Sequence, residues 1–293
     1  MYKGESVCSK CSRKCYWQVG KEYFCGYHAD KTKRIALKPN PNVATQRKEK
    51  YTLFLKEAQK FCDRGKVGKL IVRRSKMFGE TILEKGYFTV LPNFRAKSSS
   101  KLVIAAKELS PMFLGPVIHG QEDLPNSCNL ENFHQFNKVF SCEVDDDENV
   151  LPIWFERQIE GYNNPVPQRH KLGKTKAEHL KTIGKGPKDN PNHCLFSLFK
   201  NPKTGKLQKY SYLKSRVFYC TYYERLARKQ EKYKTLLKMY KNGAKLLISG
   251  FDARNVDSAT VDDIYELYND ASHPFGNEMV LYTMLKLHDQ PEM

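Results

Sequence analysis

Two Cys/His pairs near the start of the chain constrain its fold more than any other feature. Cys8 pairs with Cys11 and Cys25 pairs with His28, each across two residues, and thirteen residues separate the pairs. Two ligands spaced in this way can form a tight knuckle, and two knuckles complete a tetrahedral Zn²⁺ site. Because four protein ligands leave no open coordination position, the spacing predicts a structural zinc. The alternative is a set of ordinary thiols whose spacing is coincidental.

A fifth candidate ligand lies between the two pairs. Cys15 either replaces Cys11 or lies beside the site as a further thiol, and we favour the second role. The residues around Gly20 predict a short hairpin that brings the two pairs together. Metal binding would supply most of the folding free energy of so small a module. With the basic, proline-interrupted arm that follows, the predicted zinc-binding module spans residues 1–42.

The composition of the 293-residue chain predicts a folded protein outside the membrane. Aromatic residues make up 12% of the chain, which argues against a wholly disordered protein. No apolar run approaches the length of about 20 residues that a transmembrane helix needs, and the first residues lack the apolar segment of a secretory signal. We therefore expect an intracellular protein whose nine cysteines are reduced thiols or metal ligands rather than disulfides.

The net charge of +18 is distributed unevenly along the chain. Residues 1–100 and 161–250 carry net charges of +15 and +17, whereas residues 101–160 and 251–293 each carry −7. Clustered Lys and Arg bind phosphate backbones because they release condensed counterions. The two basic blocks therefore predict binding of nucleic acid or another polyanion. Alternatively, the basic and acidic blocks neutralise one another within the fold or between neighbouring copies.

The body of the chain predicts an α/β or α+β fold. Residues 43–160 combine an amphipathic helix over 45–64 and short strands with an ordered irregular segment over 108–143, where paired Pro and Gly argue against a helix. Residues 161–293 predict a basic hairpin region and then a C-terminal α/β unit. The strands are expected at 70–72, 89–91, 102–106, 194–199, 207–213 and 245–250, and the C-terminal helices at 216–242, 261–269 and 277–287.

Three side chains near the last predicted strand are candidate catalytic residues. In open α/β sheets, ligands bind beyond the carboxyl ends of the strands, which is where Asp252 follows Gly250. His273, and Glu278 in the first turn of the last helix, would project towards the same crevice, and the three could do general acid–base work. The alternative is structural, because a Glu in a first helical turn and an Asp after a strand both serve as caps.

An amide-rich stretch upstream is a candidate reader of a ligand in that crevice. Residues 129–135 combine Asn, Glu, His and Gln with aromatic side chains. Their amides could bind the edge of a ligand while Phe133 or Phe136 stacks on it. The alternative is that these amides hydrogen-bond the backbone of a long ordered loop.

Several stretches resemble uncharacterised proteins of large double-stranded DNA viruses that infect eukaryotes. They are residues 25–28 (CGYH) with the basic run behind them, 109–117 (LSPMFLGPV), 129–132 (NLEN), 250–252 (GFD) and 273–278 (HPFGNE). No activity is established for that family, so the resemblance implies only a setting. It implies a viral protein located in the cytoplasm or nucleus of the host cell, or packaged in the virion.

Two functions of different classes fit these observations. The first is a basic, zinc-binding, non-enzymatic component of the virion or nucleoprotein that contacts nucleic acid, acidic neighbours or other virion proteins. The charge blocks and the structural zinc favour it. The second is an enzyme that acts on a nucleotide or nucleic acid through the crevice at Asp252, His273 and Glu278.

Overall fold

A computed structural model describes residues 8–10, 15–25, 28–33, 35–38, 41–76, 80–98, 100–168, 194–201 and 204–288. The chain divides into two compact units, residues 1–56 and 57–293. Helices accompany both parallel and antiparallel sheets, which confirms the predicted α/β or α+β class. None of the helices in these ranges combines the length and the hydrophobicity of a membrane span.

The first unit contains a three-stranded antiparallel sheet. Strand β1 (Trp17–Val19) pairs with β2 (Glu22–Phe24) on one side and with β3 (Ile35–Ala36) on the other. The β1–β2 hairpin turns at Gly20, whose positive φ of 60° suits glycine. The predicted hairpin is thus confirmed. Its small buried core consists of Cys8, Cys15, Phe24, Cys25, Ala29 and Leu37.

Helix α1 (Pro41–Gln59) follows this sheet and contains the boundary between the two units. It begins four residues before the predicted start and ends five residues before the predicted end at residue 64. Proline is favoured at the first helical position, because its missing N–H has no partner to lose there. The apolar periodicity begins only at Tyr51 and so does not reveal this first turn.

The second unit is built around a parallel sheet whose strands come from distant parts of the chain. Its strand order is β4-β10-β5-β6, and every pair is parallel. Strand β10, which lies between β4 and β5, is wholly buried, as expected for parallel sheets covered on both faces. The strands are β4 (Leu70–Arg74), β5 (Phe88–Leu91), β6 (Val103–Ala105) and β10 (Leu246–Gly250). The predicted C-terminal α/β unit therefore shares its sheet with residues 70–105.

An antiparallel sheet completes the strands of the second unit. It has the order β7-β8-β9, with β7 (Lys138–Phe140), β8 (Cys194–Lys200) and β9 (Leu207–Tyr210). The hairpin of β8 and β9 confirms the sequence prediction, but β9 ends at Tyr210 and not at residue 213, because a helix capped by Ser211 begins at Tyr212. Strand β7 was not predicted, because three residues are too few to show an alternating pattern.

Six helices are described in the second unit after α1. They are α2 (Leu130–Phe136), α3 (Pro152–Asn163), α4 (Tyr212–Arg228), α5 (Glu231–Lys241), α6 (Val261–Asn269) and α7 (Asn277–Lys286). The last two confirm the sequence predictions, and α3 was not predicted.

Two predictions about helices are wrong. The single helix expected over 216–242 is interrupted at Lys229 and Gln230, and so forms α4 and α5. The apolar spacing continues across this break, so the sequence pattern does not show it. The segment over 108–143 contains α2, because Asn129 caps the helix by accepting a hydrogen bond from the backbone N–H of Asn132 at 2.8 Å. Residues 110–129 do follow the predicted irregular path.

Candidate functional sites

Three of the four predicted metal ligands come together in the first unit. The ligand atoms of Cys8, Cys25 and His28 all lie within 4.8 Å of one another. His28 Nδ1 lies 3.4 Å from Cys8 Sγ and 3.7 Å from Cys25 Sγ. Tetrahedral coordination with metal–sulfur and metal–nitrogen distances of about 2.3 and 2.1 Å separates a sulfur from a nitrogen by about 3.6 Å. The group therefore has the spacing of three ligands that could hold one metal ion.

The hairpin of the first unit positions this group. Cys25 follows β2 directly, and its carbonyl accepts the backbone N–H of His28 at 3.2 Å, which closes the turn between the two ligands. The backbone N–H of Ser9 donates to the carbonyl of Tyr23 at 2.9 Å and thereby places Cys8 beside the same strand. Both ligand thiols are buried.

The fourth ligand stays a prediction. Cys11 lies outside the described residues. Cys15 is fully buried in the same small core, but the metal-binding group found among the described residues does not include it.

At the carboxyl end of β10, the structure brings Asp252 and Glu278 together. Glu278 lies in the first turn of α7 with 3% of its surface exposed, and Asp252 lies exposed next to it. A Cβ atom at Gly250 would overlap Glu278 Oε1, and a Cβ atom at Gly276 would lie 2.6 Å from Asp252 Cβ and 3.1 Å from Glu278 Oε2. Position 250 thus needs glycine because the Glu278 carboxyl occupies the space of a side chain, and position 276 needs glycine because Asp252 Cβ lies too close.

The environment of Glu278 favours the protonated form of its carboxyl. Burial raises the pKa of its carboxyl to about 7, and the neighbouring charge of Asp252 acts in the same direction. Hydrogen bonds from the backbone N–H groups of Glu278 itself and of Phe251 oppose the rise in pKa. Among the described residues, Glu278 Oε2 has no hydrogen-bond partner. A carboxyl group with this pKa can give or accept a proton at neutral pH.

Helix α4 contributes two tyrosines to the surroundings of Glu278. The Tyr223 hydroxyl donates to the carbonyl of Leu109 at 2.7 Å, and burial and the charge of Glu278 raise its pKa well above the usual range. Burial also raises the pKa of Tyr219 well above its usual range. The charges of Tyr223 and of the Glu131 and Glu278 carboxylates raise this pKa further. The sequence pattern assigns both tyrosines to the apolar face of a helix, so their place beside the carboxyl was missed.

The predicted ligand-reading stretch divides between two roles. Glu131 lies near Tyr219, and the ring of His134 lies 4.9 Å from the Tyr219 ring. Burial lowers the pKa of His134 well below its usual value, so the imidazole is neutral at pH 7. Two amides bind the backbone instead: Asn129 Oδ1 accepts from the backbone N–H of Asn132, and Asn132 Nδ2 donates to the carbonyl of Asn164, both at 2.8 Å. The alternative interpretation is confirmed for these two residues, whereas Gln135 Nε2 donates to the side chain of Glu131 at 3.0 Å.

The two phenylalanines of this stretch are not placed for stacking on a ligand. Phe133 is 1% exposed and packs edge-on against Tyr222, with ring centroids 4.9 Å apart. Phe136 is buried against Gly161, where its ring fills the space that a side chain would need. Their predicted contact with a ligand is therefore wrong, because the protein core takes both rings.

The third catalytic candidate has other partners. The imidazole of His273 is exposed and lies 2.8 Å from Ser272 Oγ and 3.5 Å from Asp270 Oδ2. Its backbone carbonyl accepts from the guanidinium of Arg216, which also donates to the carbonyls of Tyr268 and Asp270. Arg216 therefore holds the segment that leads to α7, while the imidazole of His273 points to Ser272 and Asp270.

The comparisons with known proteins add no relative. No protein-family model, no curated protein and no solved structure matches the chain. The resemblance to viral proteins therefore stays a prediction, and functional conclusions rest on the geometry of the two sites.

Proposed function

We propose that this chain is an enzyme that acts on a nucleotide or nucleic acid, with Glu278 as its general acid or base. One observation carries the proposal: a buried carboxyl at the carboxyl edge of a parallel sheet leaves Oε2 without a partner in the described part of the chain. Buried polar groups normally find hydrogen-bond partners within the protein. An exception at the edge where α/β proteins bind ligands favours a substrate as the missing partner.

The surroundings of the carboxyl support this role. Its pKa of about 7 keeps both protonation states available at neutral pH, as efficient general acid–base catalysis requires. Asp252 supplies a second carboxyl that can orient a polar group of the substrate. Tyr219 is only partly buried and, with the neutral imidazole of His134, offers aromatic surface for a nucleobase.

The second candidate function is that of a non-enzymatic virion or nucleoprotein component. It is favoured by Lys and Arg side chains that are exposed on two helices, including Arg47 and Lys50 on α1 and Lys234 and Lys238 on α5. Such surfaces bind nucleic acid without sequence preference. Residues 169–193, which belong to the second basic block, lie outside the described residues.

One experiment separates the two functions. Mononucleotides and single-stranded oligonucleotides are incubated with the wild type, with Glu278→Gln and with Glu266→Gln, and products are identified by mass spectrometry. Glu266 is exposed on α6, so it is a matched control for the loss of a carboxylate. We expect the wild type and the control to convert a substrate, and Glu278→Gln to be slower by at least about 100-fold.

Two results would decide against the enzyme. One is conversion by Glu278→Gln at the wild-type rate. The other is a failure of the wild type to convert any substrate while both proteins bind oligonucleotides equally well. The second result, with affinity that falls steeply as salt rises, supports the nucleic-acid-binding component instead.

We also propose that the metal is zinc in a closed structural site, with Cys8, Cys25 and His28 as three ligands and Cys11 as the fourth. Two thiolates and an imidazole are a donor set typical of structural zinc, and their spacing fits tetrahedral coordination. The zinc would be bound by residues that hold the hairpin and its small core together, so its loss should unfold the first unit.

Elemental analysis tests this metal site. We expect about one zinc per chain in the wild type and in Cys128→Ser, whose thiol is exposed in the second unit. Cys25→Ser should lose the metal, since three ligands are seldom sufficient for structural zinc. Full metal content in Cys25→Ser contradicts the assignment. Loss of zinc in Cys11→Ser but not in Cys15→Ser identifies Cys11 as the fourth ligand, and the reverse identifies Cys15.

A further inference from the structure

The carboxyl edge of the parallel sheet has basic residues on both sides of the two carboxyl groups. Strands β4 and β5 are the neighbours of β10, and all three run in the same direction. The residues at and just after the carboxyl ends of β4 and β5 therefore lie at the same edge of the sheet, on either side of the strand that leads to Asp252. On one side these are Arg74 and Lys76, and on the other side Arg95.

Backbone hydrogen bonds hold the β4 side in place. Arg74 is in register with Gly250, its backbone N–H donates to Asn255 Oδ1 at 3.0 Å, and the backbone N–H of Ser75 donates to the carbonyl of Gly250 at 2.8 Å. The side chains of Arg74 and Lys76 are exposed.

The charge of Arg74 is available to a ligand. Its neighbour Arg73 forms an ion pair with Asp257 and donates to the carbonyl of Val72. The guanidinium of Arg74 makes no hydrogen bond or ion pair with any residue that the structure describes.

The β5 side is tied directly to the helix that carries Glu278. Asn277 Nδ2 donates to the carbonyl of Pro92 at 2.6 Å, and Asn277 precedes Glu278 in α7. Phe94 and Arg95 follow and are exposed, with the guanidinium 4.9 Å from the ring centroid. The aligned peptide dipoles of α7 add partial positive charge at its N-terminus. The N-cap residue there, Gly276, has no side chain that could cap the helix.

We propose that Arg74, with Lys76 beside it and Arg95 on the other side of β10, binds a phosphate group of the substrate at this edge. The substrate is then a phosphorylated compound whose reacting group reaches the carboxyl of Glu278. This inference rests on the proposed function and narrows it: recognition begins at the phosphate, and a base is held by the aromatic surface of Tyr219. A free nucleotide and a phosphate within a strand share this chemistry.

Calorimetric titration tests the phosphate subsite without any need for turnover. The probes are AMP, adenosine and a ten-nucleotide single strand, all at one ionic strength, and the proteins are the wild type, Arg74→Gln and Lys69→Gln. Lys69 is exposed directly before β4, at the opposite edge of the sheet, so this control loses the same charge. We expect Arg74→Gln to bind AMP at least about tenfold more weakly and Lys69→Gln to stay within about twofold, because a charge-assisted hydrogen bond is lost only in the first variant.

The outcomes separate the subsite from the proposed function. Equal affinity for AMP and adenosine, equal weakening in both variants, or no binding of any phosphate probe overturns the subsite. If the affinity for AMP depends on Arg74, the ligand of the subsite is a free nucleotide. If only the affinity for the single strand depends on Arg74, the ligand is a phosphate within a strand. If Arg74-dependent binding occurs but no probe is converted, the phosphate subsite is supported and the proposed enzymatic function is contradicted. If turnover depends on Glu278 while Arg74→Gln leaves KM unchanged, the enzyme stands and the subsite fails.

Discussion

Replacing Glu278 with Gln is expected to stabilise the protein by about 3 kcal/mol at pH 8.5 and to leave its stability nearly unchanged at pH 4. In the folded state the carboxyl keeps its proton up to about pH 7, whereas in the unfolded chain it ionises near 4.5. Each unit of difference between these pKa values corresponds to about 1.4 kcal/mol. The wild type therefore carries a destabilising group at neutral and alkaline pH.

The sign of this effect follows from proton binding. Between pH 4.5 and 7, the folded state binds one more proton than the unfolded state at Glu278, so the free energy of unfolding falls as pH rises. Above pH 7 both states are ionised and the fall ends. Glutamine is neutral at every pH, so the variant lacks this slope.

Two of the three groups that face Glu278 titrate outside this pH range. The three groups are Asp252 on the loop after β10 and Tyr219 and Tyr223 on α4. The pKa values of both tyrosines are raised, so these hydroxyls titrate well above pH 8.5. All three groups are present in the variant too, so the difference between the two proteins isolates Glu278.

Urea unfolding at a series of pH values from 4 to 8.5 measures the effect. Glu266→Gln serves as the control for the loss of a carboxylate, because Glu266 is exposed on α6. A difference between wild type and Glu278→Gln that stays constant with pH would contradict the raised pKa. A stabilised but inactive variant would show that the buried carboxyl is kept for chemistry at a cost in stability.

The elements that the sequence predicts well are those with local signals. Helices α6 and α7 have clear starts, such as the capping box in which Thr260 and Asp263 exchange hydrogen bonds. The hairpin at Gly20 and the buried strand before Gly250 are equally local. Each pattern depends on residues within a few positions of one another, so one sequence suffices to show it.

The surroundings of the candidate site depend on contacts that no local pattern contains. Strand β4 lies next to β10 although about 170 residues separate them, so the place of Arg74 beside Gly250 follows only from the sheet order. The sequence does place Asp252 and Glu278 at one crevice, through the rule for strand ends. It does not show that Gly250 is small because Glu278 fills the space, or that Tyr223 lies near the carboxyl.

Replacing Arg216 with Met is expected to lower the free energy of unfolding by at least about 3 kcal/mol at pH 7. Arg216 is 5% exposed on α4, and its guanidinium donates to the carbonyls of Tyr268, Asp270 and His273. The carbonyl of Tyr268 lies in the last turn of α6, and the other two lie between α6 and the start of α7. Methionine fills a similar volume but donates no hydrogen bond, and each charge-assisted bond contributes about 1.5 to 3 kcal/mol.

The matched control is Arg225→Met on the same helix. Arg225 is exposed, and its guanidinium lies 5.8 Å from the centroid of the Tyr222 ring, so its loss should lower the free energy of unfolding by less than about 1 kcal/mol. Urea unfolding of both variants measures the difference, and equal losses would show that the three carbonyl bonds contribute nothing.

A second substitution, Arg216→Lys, distinguishes a protein that fails to fold from a folded protein in which the Glu278 carboxyl is no longer held in position. Lysine keeps the charge but not the planar group that spans three carbonyls, so an intermediate loss of stability is expected. The hydrogen bonds from Arg216 to these carbonyls fix the segment that leads to Gly276. Loss of these bonds should loosen the segment and let water reach the Glu278 carboxyl. The stability slope between pH 4.5 and 7 should then shrink in Arg216→Lys, since a hydrated carboxyl has a pKa nearer its ordinary value. A slope as steep as that of the wild type would show that Arg216 stabilises the fold without positioning the carboxyl.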